Sequence, residues 1–165
     1  MKVLYLLRHA KSDWSIGGQN DFDRGLNKRG LSNAPFMGKI LKERGVQPDM
    51  ILSSPAKRAK LTSAMVSEQL DLSDRVEFNE EIYEASPRTL LKLVNELSPD
   101  QNEVMLVGHN PTFTYLAEYL TKEEIGNMPT CSCVKIKFFN EWNEVREGTG
   151  DLLWFEYPKK YLQEE

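Results

Sequence analysis

Apolar positions along the chain follow two alternating rhythms. Val3–Leu7 is an unbroken apolar run, the mark of a strand covered on both faces. Leu31, Ala34, Met37, Ile40 and Leu41 then recur at helical spacing, with Gly45 as a stop and Pro35 placed to kink the helix. Met50–Leu52 predicts a second short strand, residues 56–70 a helix, and Arg75–Phe78 another short strand. Ser86-Pro87 reads as an N-cap and first helical position, opening a helix through Leu90, Leu91, Val94 and Leu97. Glu103–Val107 is a further apolar strand, and Asn110-Pro111 opens a helix carrying Phe113, Leu116, Ala117 and Leu120. From Ser132 the period changes. Val134, Ile136 and Phe138 alternate, Gly148–Gly150 supplies a turn, and Leu152–Tyr157 returns, which predicts an antiparallel hairpin appended to the sheet.

Strands alternating with helices predict an α/β fold with a mostly parallel central sheet. The 165 residues suit one domain, expected over positions 1–165. In such sheets ligands bind beyond the carboxyl ends of the strands. The first strand ends in Arg8-His9, the second in Ser53-Ser54-Pro55 with Arg58 in the next helix, and the fourth in Gly108-His109-Asn110-Pro111. Both Ser54-Pro55 and Asn110-Pro111 read as a polar cap followed by proline at the first helical position. Each such junction aims unpaired N–H groups and a positive dipole end at the same sheet edge, which suits an anion.

The chain holds only two histidines, His9 and His109, and both fall at that edge. With Arg8 and Arg58 they form a cationic set fit for a dianionic phosphoryl group, which an arginine fork can hold by two oxygens at once. Phosphoryl transfer needs an in-line nucleophile and stabilisation of charge on the equatorial oxygens. An imidazole serves as nucleophile when one nitrogen is free and the other N–H is held by an acceptor. His9 is the candidate nucleophile, while Arg8, Arg58 and His109 are candidates to bind the oxygens. The chemistry requires neither a metal nor a cofactor.

Bulk properties narrow the partners. A formal charge of −4 leaves no basic footprint for nucleic acid, and no apolar run approaches the length of a membrane span. The N-terminus lacks the pattern of a secretory signal, so a reducing cytoplasmic location is expected. Cys131 and Cys133 form a lone C-x-C without further ligands nearby, which fits packing residues better than a zinc site.

Leu7-Arg8-His9-Ala10, Ser53-Ser54-Pro55 with Arg58-Ala59, and Gly108-His109-Asn110-Pro111 together resemble the signatures of the histidine phosphatase superfamily, the phosphoglycerate-mutase-like proteins. The stretch RHAKSDW…DFDRGLNKRG is similar to the SixA-type phosphohistidine phosphatase branch. The resemblance implies a three-layer α/β/α sandwich and a metal-independent reaction through a covalent phosphohistidine. It casts His9 as nucleophile, Arg8 and Arg58 as phosphate-binding arginines, and His109 as the second histidine of the pocket. Lys11, Ser15, Arg24 and Asn110 complete the candidate phosphate-binding set.

Two departures from the family pattern matter. Leu61 stands where many members carry glutamine, an exchange that affects packing more than chemistry. No general acid is firmly placed: Glu81, Glu84 and Asp13 are the candidates, and a solvated loop carboxylate is the plain alternative for each. Asp21, Asp23, Arg24 and Lys28 lie in a charged loop ahead of a helix that Asn27 can cap; this loop either positions Arg8, meets substrate, or is simply solvated.

An alkoxide leaving group needs a proton in the transition state, whereas imidazole, with a pKa of about 6.5, departs as the neutral ring. A site without a fixed acid therefore suits phosphohistidine on a protein. The alternatives are a phosphomonoesterase acting on small phosphorylated molecules and, from another class, a non-catalytic phosphate-binding module. A mutase needs more chain to enclose its intermediate.

Overall fold

A computed structural model describes residues 1–162. The elements run β1 (Lys2–Arg8), α1 (Lys28–Glu43), β2 (Met50–Ser53), α2 (Lys57–Gln69), β3 (Val76–Phe78), α3 (Pro87–Asn95), β4 (Glu103–Gly108), α4 (Thr112–Thr121), β5 (Cys133–Phe138) and β6 (Gly150–Glu156). They form one six-stranded sheet in the order β3-β2-β4-β1-β5-β6. The β3-β2-β4-β1 part is parallel, and β5 and β6 are added antiparallel.

β1 lies inside the sheet between β4 and β5, and Leu4 to Leu7 are fully buried. Its alternate side chains feed two separate cores. Leu4 and Leu6 pack with Val104, Leu106, α3 and α4 on one face. Tyr5 and Leu7 pack with Met105, Val107, α1 and α2 on the other. The sandwich is thus helix–sheet–helix, and the unbroken apolar run of β1 is the sequence imprint of burial from both sides. Each leucine buried there stabilises the fold by about 2 kcal/mol.

Local signals account for most element ends. Asn27 caps α1 by accepting from the Gly30 N–H at 2.9 Å, and Gly45 follows its end with φ of 74°. Ser86 caps α3 and Pro87 takes its first position, as expected.

Several expectations need correction. Leu31, expected on the buried face of α1, points away from the core at 46% exposure, and Pro35 lies within the helix. The helices after β2 and β4 begin later than their prolines suggest. Ala56 is the N-cap of α2, so Pro55 lies outside it, and Pro111 is itself the N-cap of α4. α3 stops at Asn95, before Leu97. β5 and β6 pair antiparallel as expected, and besides the turn at Gly148, whose φ is 71°, the connecting residues 139–149 include one helical turn, Trp142–Glu144. Trp142 in that turn is buried, and its indole N–H donates to the Gln101 carbonyl at 2.6 Å. Burial of this large ring explains why the connection is long.

Candidate active site

The carboxyl ends of β1, β2 and β4 bring the expected groups together. The His9 and His109 rings lie 5.2 Å apart, centroid to centroid. Backbone bonds fix His9 from three sides: its N–H donates to the Gly108 carbonyl, its carbonyl accepts from Cys131, and the next N–H, on Ala10, donates to Thr62 Oγ1, each at 2.9 Å. Thr62 in turn donates to the Arg58 carbonyl at 2.7 Å, so the first turn of α2 is tied to the end of β1. Gly108 is required beside them, because a Cβ there would fall 2.6 Å from the Phe113 ring.

His9 is 7% exposed and its Nδ1 lies 2.6 Å from the Ala10 carbonyl. A carbonyl only accepts, so Nδ1 carries the proton and Nε2 keeps its lone pair. Burial, reinforced by the nearby His109, Arg58 and Arg8, pushes the His9 pKa down to about 3, against a smaller upward pull from the Ala10 carbonyl. The ring is therefore neutral at pH 7, as a candidate nucleophile must be.

His109 reaches Ser54 Oγ with Nε2 at 2.8 Å, while its buried Nδ1 has no partner. Ser54 is fully buried, and among the described residues its hydroxyl hydrogen has no acceptor other than His109 Nε2, so that hydrogen is assigned there while Oγ also accepts from the Ala56 N–H at 3.2 Å. That assignment leaves His109 Nδ1–H as a free donor toward the pocket's anion. Burial and Arg58 lower the His109 pKa to about 4. Arg8 donates through Nη1 to the Met128 carbonyl at 2.8 Å and keeps a buried Nε without a partner. Unpaired buried donors are costly, and these two beside the candidate nucleophile His9 suit an oxyanion.

Arg58 is held by Asp21: Nη1 to the Asp21 carbonyl at 2.7 Å and Nη2 to its carboxylate at 3.0 Å. Tyr83 donates to the same carboxylate at 2.7 Å, and Arg24 stands 3.6 Å away. The Tyr83 hydrogen bond, helped by Arg58 and Arg24, holds the Asp21 carboxyl below its ordinary range. Burial and Asp21 push Tyr83 up to about 12. Asp21 is therefore a fixed anion, not a proton donor. Of the roles the sequence left open for the charged loop, positioning an arginine is the one seen, and the arginine is Arg58 instead of Arg8.

The remaining candidates divide. Arg24 is 8% exposed, pairs with Asp21 and covers the Trp14 ring at 3.5 Å, so it braces the loop. Asn110 is committed to scaffolding: Nδ2 donates to Asn127 Oδ1 and the Met128 carbonyl, and Oδ1 accepts from Thr114. Ser15 is exposed at a loop tip, its N–H turned to Asp13 Oδ1 at 2.8 Å, which places both residues in a local turn. Lys11 lines a neighbouring cavity together with Arg8. Glu84 lines the cleft of Asp21, Arg58 and His109, held by a left-handed backbone at φ 56°. Glu81 is exposed and outside that lining. Leu61 packs beside Ala10, Leu26 and Met37, in keeping with a packing role. Cys131 and Cys133 are buried and not joined by a disulfide.

Ser54, Thr62 and Tyr83 are the contributors that sequence reasoning missed, and Asp21, placed in the charged loop, was not matched to Arg58. The first two stood inside recognisable motifs, but nothing in the spacing showed which atoms they would meet.

Two histidines make the protonation states directly measurable. In ¹⁵N-edited NMR both rings are expected as neutral Nδ1–H tautomers from pH 8 to about 5, because their folded pKa values lie near 3 and 4. A midpoint near 6.5, the ordinary value, would show that neither ring is desolvated. The unfolded chain binds protons on both rings near that pH while the fold does not, so these two groups make stability decline as pH falls from about 6.5 toward 4.

No described helix is long and apolar enough to cross a membrane. Among the described residues, no three His, Cys, Asp or Glu side chains gather into a metal-binding group.

Comparison with known proteins matches residues 4–87 to the model of the histidine phosphatase superfamily, branch 1. An uncharacterised chloroplast protein of Arabidopsis thaliana is 32% identical over 161 residues, which cover 92% of this chain and 73% of that protein. Among solved structures, the candidate phosphohistidine phosphatase SixA of Agrobacterium tumefaciens is 31% identical and superposes with a TM-score of 0.82, over 95% of this chain and 98% of its own. A protein histidine phosphatase SixA in complex with tungstate has the same fold, with a TM-score of 0.77 at 23% identity over 96% of this chain and 98% of its own.

Proposed function

The chain belongs to the histidine phosphatase superfamily and is a phosphatase, and from that premise we propose that it hydrolyses phosphohistidine on a protein, without a metal, through a phosphohistidine intermediate at His9. In the first step His9 Nε2 attacks phosphorus and the phosphorus–nitrogen bond of the substrate breaks. A substrate ring that is protonated on its other nitrogen departs as neutral imidazole and needs no acid from the enzyme. Water then attacks the phosphoryl group on His9, inorganic phosphate leaves, and Nε2 recovers its lone pair. Arg8, Arg58 and His109 Nδ1–H are the groups proposed to hold the phosphoryl oxygens through both steps.

One observation carries this reading. The carboxylate built into the site, Asp21, is bound to Arg58 and Tyr83 and kept ionised, so the site presents a neutral nucleophile and oxyanion donors but no fixed carboxylic acid. An alkoxide leaving group is poorly served there, and imidazole is well served. The likeness to the two SixA proteins supports the same substrate class.

Glu84 supports a second reading. It lines the same cleft, and a carboxyl there that donates a proton would make small alkyl phosphates substrates. The deciding experiment gives the purified protein a histidine-phosphorylated carrier protein, an aryl phosphate and an alkyl phosphate, each with EDTA. The carrier is expected to lose phosphate fastest, the aryl phosphate slowly and the alkyl phosphate least. Preference for the alkyl phosphate, lost in Glu84→Gln, moves the assignment to small metabolites. Loss of all activity in EDTA overturns metal independence.

A further inference from the structure

Two clefts flank the reacting position, and they differ in charge. One is lined by Arg58, His109, Asp21 and Glu84. The other, of about 390 Å³, is lined by Arg8, Lys11, Arg29, Asn33, Asn127 and Lys159 among others, and no carboxylate stands among its described walls. The clefts share no lining residue. Arg8 walls one, Arg58 and His109 wall the other, and a phosphoryl group held by all three lies between them. The second volume falls within the range of ligand sites.

This basic cavity is assembled by specific contacts. The first turn of α1 lies against the end of β1 so closely that a Cβ on Gly30 would stand 2.3 Å from the Lys11 carbonyl oxygen. The same oxygen accepts from the Asn27 N–H at 3.0 Å. That approach places Lys11 and Arg29 on adjoining walls. Lys159 comes from the one-turn helix Pro158–Lys160 after β6. Fully buried Glu156 fastens this turn through Lys160 at 2.8 Å and ties it to α1 through Arg44 at 2.6 Å. Gathering Arg8, Lys11 and Lys159 around one space costs repulsion that an anion relieves.

We propose that this cavity is a second anion subsite, which receives an acidic side chain neighbouring the phosphohistidine of the substrate protein; the identity of that chain rests on the phosphohistidine reading above. In this proposal a substrate segment crossing the site runs from one cleft into the other. An acidic neighbour is favoured over Lys11 and Lys159 and repelled over Asp21 and Glu84, so the charge difference orients the segment as well as selecting it.

The test uses two phosphohistidine peptides of equal length, one with glutamates beside the phosphohistidine and one with lysines. The glutamate peptide is expected to have a kcat/KM about fivefold higher at low salt, mostly through KM, with the advantage fading as salt screens exposed charges. In Lys159→Glu, a change at an exposed position, the ratio is expected to drop to about one or below. Equal rates in the unaltered protein, or an undiminished preference in the variant, overturn the subsite. If an aryl phosphate is turned over but neither peptide is, the phosphohistidine reading has failed instead. An alkyl bisphosphate is then compared with its monophosphate. Preference for the bisphosphate that Lys159→Glu removes retains the subsite for small substrates, and no preference overturns it too.

Discussion

His9→Ala is expected to lower kcat by about 10⁴-fold or more, and to eliminate the acid-labile phosphoenzyme formed with radiolabelled substrate. The reason is structural. His9 Nε2 is the only nucleophilic imidazole nitrogen in the site, since the other imidazole, His109, has its Nε2 occupied by Ser54 and its Nδ1 protonated. Alanine leaves Arg8, Arg58 and His109 able to bind phosphate, so the variant should retain affinity for orthovanadate or phosphate while losing turnover. That separation between binding and chemistry distinguishes loss of the nucleophile from collapse of the site. Turnover within tenfold of the unaltered protein would rule out covalent catalysis at His9.

Arg58→Ala should reduce kcat by about 10²-fold with a smaller rise in KM, the pattern for a donor that serves developing charge more than ground-state binding. Arg58 is 9% exposed, and two hydrogen bonds to Asp21 fix its guanidinium before substrate arrives. Preorganisation of this kind removes the need to orient the donor during the reaction. The Asp21 side chain is 47% exposed and keeps Tyr83 and Arg24 as partners. Its charge is therefore not stranded in the variant, and thermal stability should change little. A kcat within a factor of two of the unaltered protein would place Arg58 outside the reaction.

Much of the architecture was legible because strand and helix signals are local. Period, caps and breakers placed β1, β2, β4 and the four helices in order, and with them the edge where Arg8, His9, Arg58 and His109 meet. What failed was also local in origin. Prolines 55 and 111 sit before helices, but the sequence pattern does not say whether a proline is the cap, the first helical residue or outside. The glycines marked the turn before β6, but the helical turn that buries Trp142 ahead of it left no periodic signal in the sequence.

The site divides along the same line. The sequence by itself determined which residues could do chemistry: two histidines and two arginines at the ends of three strands, a property of residue type and spacing. Only the tertiary structure decided how they are tuned. Asp21 grips Arg58 from 37 residues away, Tyr83 reaches Asp21 across 62, and Ser54 sets the His109 tautomer across 55. Asn110 became scaffolding because its neighbours in space occupy every atom of its amide, and Glu84, in a left-handed conformation, lines the cleft whereas Glu81 does not. Hydrogen bonds and burial act over ångströms in space, irrespective of separation along the chain, so the candidate nucleophile was written in the pattern and its neutrality was made by the fold.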